Sequence, residues 1–238
     1  MPAFEAAVAL GYRYLETDVH LTRDGVVVAF HDSRLDRVTD RAGAIAELAI
    51  ADVLAADAGY RFSPDGRTFP FRGRGVSVPR LDELLERWPH ARLNIDPKSD
   101  GCVAAVVALV DRFGAWDRVC FGAFSDARLR RIRALSRGRA CTSMGPRAVA
   151  LARACGAAGF VPRQRADCIQ VPVRRGRIAL ATAGFVRAAH RARLPVHVWT
   201  VDDAPTMTEL LDLGVDGIMT DRPRLLREVL ASRGIAFA

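Results

Sequence analysis

Residues 14–32 read YLETDVHLTRDGVVVAFHD, two apolar runs that resemble strands and are joined by an RDG turn signal. Residues two apart in a strand point to the same face, so Glu16 and Asp18 present two carboxylates side by side. Two adjacent anions repel each other unless a cation or a proton lies between them. The second run ends in His31-Asp32. The pattern fits either a hairpin or two successive strands of a larger sheet.

The chain after residue 80 alternates regularly between helical and strand patterns. Leu81, Leu84, Leu85 and Trp88 recur at helical spacing. Short apolar strands are predicted at Leu93–Asp96, Val119–Phe124, Ala140–Met144, Cys168–Val171, Val196–Val201 and Gly217–Thr220. Such alternation is typical of right-handed βαβ units with a parallel sheet. Because no GxGxxG loop interrupts it, we predict an α/β fold of the (β/α)8 barrel type rather than a doubly wound sheet.

Residues 1–238 are predicted to form a single domain, since no repeat or low-complexity segment divides them. Residues 57–79 are rich in Gly, Arg, Pro and Phe and lack a helical period. We interpret this segment as a loop insertion, and long loops of this kind are commonly functional.

The composition narrows the class of protein. The net charge is +8, and Lys98 is the only lysine among 35 basic residues. The arginines are scattered rather than clustered with aromatic residues, so we do not expect a nucleic-acid-binding protein, although a positive field favours an anionic substrate. Five cysteines without CxxC spacing fit a reduced, cytoplasmic protein. The sequence contains no stretch of about 18 apolar residues, so no transmembrane segment is predicted.

Polar residues at the carboxyl ends of strands build the active site of a (β/α)8 barrel. Glu16 and Asp18 belong to the first predicted strand, and Asp96 closes LNIDPK. Three hard oxygen ligands suit Mg²⁺ or Ca²⁺, although each acid alone could equally be solvated or paired with arginine. His31, beside Asp32, is a candidate acid/base group, and a half-buried packing histidine is the alternative.

Two further residues stand at predicted strand ends. Lys98 could bind a phosphoryl oxygen or form a Schiff base, or it could be a lysine without a special role. Trp199, in VHVWTV, could be a core residue or a platform for the apolar face of a polyol. The remaining histidines are predicted to be surface or packing residues: His20, His90, His190 and His197.

These motifs together resemble the glycerophosphodiester phosphodiesterase family over nearly the whole chain. The resemblance rests on ETDVHLTRDGVVVAFHD, VPRLDELLE, LNIDPK, VHVWTVDD and LGVDGIMTDRP. It implies a barrel similar to that of phosphatidylinositol-specific phospholipase C. It also implies metal-dependent hydrolysis of deacylated phospholipids, such as glycerophosphocholine, to glycerol 3-phosphate and an alcohol, within lipid and glycerol metabolism.

The resemblance implies a role for each candidate residue. Glu16 and Asp18 match the metal-binding pair, and Asp96 stands where the family usually has a glutamate. His31 matches the second of two acid/base histidines. Lys98 matches a lysine near the phosphate, and Trp199 matches an aromatic residue beside the glycerol.

The start of the chain departs from the family pattern. The family begins with a strand ending in His-Arg-Gly, whereas this sequence opens with MPAF. We therefore expect a barrel without its first strand, its first catalytic histidine or its phosphate-binding arginine. One alternative is a phosphodiester-binding remnant with impaired catalysis, and another is a Schiff-base enzyme that uses Lys98.

Overall fold

The computed structural model describes residues 1–156, 159–162 and 164–235. The helices are α1 (Pro2–Ala9), α2 (Ile50–Leu54), α3 (Leu81–Arg87), α4 (Cys102–Arg112), α5 (Asp126–Leu135), α6 (Pro146–Gly156), α7 (Ala183–Arg191), α8 (Ala204–Asp212) and α9 (Pro223–Ser232). The strands are β1 (Tyr14–Leu21), β2 (Val27–Ala29), β3 (Arg92–Pro97), β4 (Val119–Phe121), β5 (Cys141–Thr142), β6 (Ile169–Pro172), β7 (Arg174–Arg175), β8 (Ile178–Ala179), β9 (Val196–Trp199) and β10 (Gly217–Ile218).

The chain divides into two compact units. The first comprises Met1–Val8, Arg13–Val119 and Arg131–Ala140. The second comprises Ala9–Tyr12, Cys120–Arg130 and the described residues from Cys141 onwards.

The first unit is organised around β1. This strand pairs in parallel with β3 along its length and antiparallel with β2, from Val19 opposite Ala29 to Leu21 opposite Val27. The two runs of the 14–32 stretch therefore form a hairpin, which resolves the alternative left open by the sequence. Helix α4 lies against β1 and β3, and its apolar face buries Val103, Val106 and Val110.

The second unit contains two groups of parallel strands. Cys120 and Phe121 of β4 pair with β5, and β9 lies between β6 and β10. Valine and isoleucine side chains of β6 and β9 form one core with Phe185 of α7 and Met207 of α8. Helices α7 and α8 begin at side-chain caps, since Thr182 and Asp203 accept hydrogen bonds from backbone amides three residues ahead.

Parallel strands followed by helices give the mixed α/β arrangement of a TIM-barrel-like fold, which confirms the predicted class. Several strands are shorter than predicted, and β4 ends at Phe121 rather than Phe124. Within the described residues, the strand pairings form open sheets and no closed barrel is seen. None of the helices in the described part of the chain is long and apolar enough to cross a membrane.

Candidate active site

Two carboxylates meet across the β1–β3 pair. The parallel register places Asp18 directly opposite Asp96, and both side chains are about nine-tenths buried, with 10% of their area exposed. The Lys98 ammonium donates hydrogen bonds to both, at 2.8 Å from Asp18 Oδ1 and 2.8 Å from Asp96 Oδ2. A single cation therefore relieves the repulsion between the two acids.

Lys98 is held in its charged form. Burial is the largest single influence and disfavours the ammonium, but hydrogen bonds and Coulomb attraction from Asp18 and Asp96 together outweigh it. As a result the pKa of Lys98 is raised above its ordinary value. A Schiff-base lysine needs a neutral amine, so this environment disfavours the alternative of a Schiff-base enzyme that uses Lys98.

His31 approaches one of these carboxylates, that of Asp18, from the β1–β2 hairpin. The Phe30 amide donates to the Asp18 carbonyl at 3.0 Å, which fixes where the chain leaves β2. His31 Nε2 then lies 3.9 Å from Asp18 Oδ2, with 81% of the side chain exposed. An exposed imidazole beside a buried charged cluster can exchange protons with a bound substrate.

Asp32 orients the His31 ring. His31 Nδ1 lies 2.7 Å from Asp32 Oδ1, and the Arg37 guanidinium donates to both oxygens of Asp32, at 2.6 and 2.9 Å. The hydrogen bonds from Arg37 are the main cause that lowers the pKa of Asp32 to about 2. An ionised Asp32 accepts a hydrogen bond from the protonated Nδ1, which leaves Nε2 available for acid/base chemistry. Arg37 was not predicted from the sequence.

His20 supports the backbone beneath His31. Its ring is buried, and Nε2 lies 3.3 Å from the His31 carbonyl oxygen, to which it donates in the Nε2-protonated tautomer. Burial lowers the pKa of His20, which favours the neutral ring. The predicted packing role of His20 agrees with this position.

The predicted metal ligands share a strand face, but they are not gathered around a common point. Glu16 lies two residues before Asp18 on β1, is exposed, and is opposite Asn94 in the register. No group of three or more His, Cys, Asp or Glu side chains in the described ranges is arranged to hold a metal ion. Asp18 and Asp96 nevertheless already share one cation, the Lys98 ammonium, and carboxylate oxygens are ligands that Mg²⁺ and Ca²⁺ accept. The donor set thus fits a divalent cation chemically.

Trp199 belongs to the second unit, at the end of β9. Its ring packs edge-to-face against Phe124, with centroids 5.5 Å apart and planes at 85°. Phe124 follows β4 and exposes 67% of its area. An aromatic pair with one exposed ring offers an apolar surface. The sequence placed Phe124 near a strand end but gave it no role, because an aromatic residue in an apolar run looks like core.

The sequence profile of the Glycerophosphoryl diester phosphodiesterase family matches residues 1–225. The probable glycerophosphodiester phosphodiesterase 2 of Mycobacterium tuberculosis is 40% identical over 239 residues, covering 98% of this chain and 85% of that protein. The crystal structure of a glycerophosphodiester phosphodiesterase from Agrobacterium tumefaciens has a TM-score of 0.75 and 28% identity, covering 94% of this chain and 91% of the other.

A third similar protein has been solved with a ligand. It is an Oleispira antarctica phosphodiesterase in complex with its product sn-glycerol-3-phosphate, with a TM-score of 0.74, 20% identity, and coverage of 96% of this chain and 90% of the other. At that identity the likeness shows the shared fold. The profile match over most of the chain and the 40% identical relative show more: this chain belongs to the glycerophosphoryl diester phosphodiesterase family, a family of phosphoric diester hydrolases.

Proposed function

We propose that this protein hydrolyses glycerophosphodiesters, such as glycerophosphocholine, to glycerol 3-phosphate and an alcohol with the help of Mg²⁺ or Ca²⁺. The observation that carries the proposal is the convergence of Asp18, Asp96 and Lys98 beside the exposed ring of His31. The product bound by the Oleispira antarctica phosphodiesterase agrees in chemical class with this reaction. We assign the reaction to lipid and glycerol metabolism in the cytoplasm.

Glu16, Asp18 and Asp96 are the residues that would hold the divalent cation. When bound, such a cation supplies Lewis-acid polarisation of the phosphoryl group. Asp18 and Asp96 already share one positive charge, so their oxygens can serve as two of the ligands of such a cation. Lys98 offsets the negative charge on the phosphoryl oxygens that develops during P–O cleavage.

His31 moves the proton at Nε2. In its neutral form the ring removes a proton from the attacking water or glycerol hydroxyl, and in its protonated form it donates one to the leaving alcohol oxygen. Asp32 fixes the tautomer that makes Nε2 the reactive nitrogen. Trp199, with Phe124 beside it, presents an apolar surface of the kind that binds the carbon atoms of a polyol such as glycerol. The net reaction adds one water across the P–O bond of the leaving alcohol.

The metal requirement can be tested by removing divalent cations with EDTA and measuring release of glycerol 3-phosphate from glycerophosphocholine. We expect activity to disappear and to return with Mg²⁺ or Ca²⁺. Asp96→Asn should weaken the response to added cation, because it removes the charge of one proposed ligand. Asp52→Asn, at an exposed site on α2, is the matched control. Activity that is indifferent to both EDTA and added cation would contradict the metal part of the proposal.

The competing hypothesis of a binding remnant makes a different prediction. A remnant would bind glycerophosphocholine in calorimetry without releasing glycerol 3-phosphate under any cation condition. Turnover that is abolished by His31→Ala would exclude it, because a contaminating hydrolase would be unaffected by a change in this chain.

A further inference from the structure

The segment 57–79, which we call the arginine–phenylalanine loop, has an ordered backbone. Its ends are joined where the Ala58 amide donates to the Val76 carbonyl at 2.7 Å. Asp57 then accepts hydrogen bonds from the amides of Gly59 and Gly73, at 2.9 and 2.7 Å. A Cβ atom at Gly59 would lie 2.6 Å from Phe71 Cβ, so the outgoing and returning backbone segments of the loop are in close contact there. The loop therefore has a defined conformation and presents a fixed set of side chains.

This surface carries a net charge of +2, because residues 57–79 contain four arginines and two aspartates. Four exposed arginines lie within fourteen residues: Arg61, Arg67, Arg72 and Arg74. Among the described residues, none of their guanidinium groups lies within 4.0 Å of a carboxylate. The carboxylates of the loop serve the backbone instead: Asp65 accepts from the amides of Arg67 and Thr68 at 2.8 and 2.7 Å.

Phenylalanine rings are exposed between these arginines. Phe62 exposes 51% of its area and Phe69 exposes 37%. The Arg72 guanidinium lies 3.7 Å from the centroid of the Phe69 ring and 4.4 Å from that of Tyr60. Apolar rings at the surface, interleaved with guanidinium groups, match the boundary between acyl chains and headgroups of a bilayer.

We propose that the arginine–phenylalanine loop is a docking surface for a membrane that contains anionic phospholipids. The guanidinium groups would bind headgroup phosphates, and Phe62, the more exposed ring, would enter the boundary below them. Charge complementarity selects an anionic bilayer over a neutral one. Single-stranded nucleic acid fits less well, because it needs open aromatic faces for base stacking, whereas Arg72 already covers Phe69 and Tyr60.

The loop is connected to the catalytic end of the first unit. The Arg61 amide donates to the Val38 carbonyl, and Arg61 Nε donates to the Thr39 carbonyl at 3.1 Å. The residue before Val38 is Arg37, which holds Asp32 beside His31. A membrane bound at the loop would therefore lie on a surface contiguous with the segment that orients His31.

Sedimentation with lipid vesicles tests the proposal on the full chain. We expect it to bind vesicles of equal parts phosphatidylcholine and phosphatidylglycerol, and to bind phosphatidylcholine vesicles much more weakly. The double variant R67Q/R74Q should bind the anionic vesicles about 25-fold more weakly, since each arginine near an anionic surface contributes about fivefold in affinity. The control R187Q/R224Q removes the same charge from exposed helical positions outside the loop and should bind like the unmodified chain.

Two further measurements distinguish docking through this loop from nonspecific electrostatic attraction between the protein and the vesicle. Phe62→Trp should show tryptophan fluorescence quenched by brominated acyl chains when anionic vesicles are added. Hydrolysis of soluble glycerophosphocholine by R67Q/R74Q should be unchanged, so loss of docking is distinguishable from loss of catalysis. Three results would overturn the proposal. They are equal weakening of vesicle binding in both double variants, no binding of the unmodified chain to any vesicle, and an R67Q/R74Q variant that loses binding to RNA but not to anionic vesicles.

Discussion

At the scale of single residues, Lys98 keeps two buried acids stable at close range. Asp18 and Asp96 converge because the β1–β3 register sets them side by side, and the ammonium at 2.8 Å from each removes their repulsion. A divalent cation at the same oxygens would compete with this ammonium or share the carboxylates with it. Lys98 is therefore coupled both to the phosphoryl group and to the proposed metal.

Lys98→Met should separate these two effects. We expect kcat for glycerophosphocholine to fall about 10²–10³-fold, because one preorganised charge on the phosphoryl oxygens is lost. Binding of Ca²⁺ or Mg²⁺ by calorimetry should not weaken, because the competing ammonium is gone. Lys98→Arg keeps the charge and should retain more activity than Lys98→Met. Unchanged turnover in Lys98→Met would show that the lysine has no catalytic role.

The Asp32–Arg37 pair gives a prediction for stability at acid pH. The pKa of Asp32 is lowered to about 2, so its contribution is fully present above the unfolded pKa of about 3.9 and is lost as the pH falls to about 2. Arg37→Gln should lower the free energy of unfolding by about 1 kcal/mol above pH 4, with the difference vanishing towards pH 2.

Urea unfolding from pH 2 to pH 6 measures this difference directly. Arg34→Gln breaks a neighbouring, more exposed ion pair with Asp36 and serves as the control. A difference between Arg37→Gln and the unmodified chain that grows as the pH falls would have the wrong sign for this mechanism.

At the scale of secondary-structure elements, the end of α7 contains a strained residue. Arg193 adopts φ 58°, and the amides of Arg193 and Leu194 donate to the carbonyls of His190 and Ala189 at 2.9 and 3.0 Å. This is the position after a helix where glycine is preferred, because a Cβ atom disfavours the left-handed region. The exposed arginine occupies it at an energetic cost.

Arg193→Gly should therefore raise the free energy of unfolding by about 1 kcal/mol. Arg187→Gly, in the interior of the same helix, should lower it by about the same amount, because glycine there gains no relief and loses helix propensity. Equilibrium unfolding in urea compares the two variants. Destabilisation by both changes would contradict the conformational explanation.

The sequence predicted those elements that carry a strong period. Strand β1 and its E-x-D face, and helix α3, were identified because alternation or 3.6-residue spacing is explicit. The β7–β8 hairpin was missed because its strands are only two residues long and largely exposed, too short for an alternating pattern. The β1–β2 hairpin stayed ambiguous because two apolar runs and a turn fit either topology, and only the register decides.

The candidate site was likewise predictable only where its residues belong to recognisable strands. Glu16 and Asp18 lie on one face of β1, and His31, Asp96 and Lys98 lie at or just after strand ends; Asp18, His31, Asp96 and Lys98 are brought together. Arg37 was not predictable, since its approach to Asp32 depends on an irregular backbone without a period. The ammonium bridge between Asp18 and Asp96 likewise depends on cross-strand register, which a single sequence does not specify.

At the scale of the whole molecule, the composition describes charge only on average. The net charge of +8 suggested a general positive field, and residues 57–79 were recognisable in the sequence as a segment rich in arginine. In the arginine–phenylalanine loop, Asp57 and Asp65 keep their negative charge but accept hydrogen bonds from backbone amides rather than forming ion pairs with the loop arginines. Elsewhere arginines are neutralised in pairs, such as Arg37 with Asp32 and Arg139 with Asp111. The surface field is therefore uneven.

The hairpin amide of Phe30 has one more consequence, which concerns exchange with solvent. It donates to the Asp18 carbonyl, and the Lys98 amide donates to the neighbouring Val19 carbonyl, both at 3.0 Å. Deuterium can replace these two amide protons only when the strand contacts open. Their exchange rates therefore measure how readily the strand contacts open on each side of β1. The measurement reports on the catalytic cluster without any substitution in it.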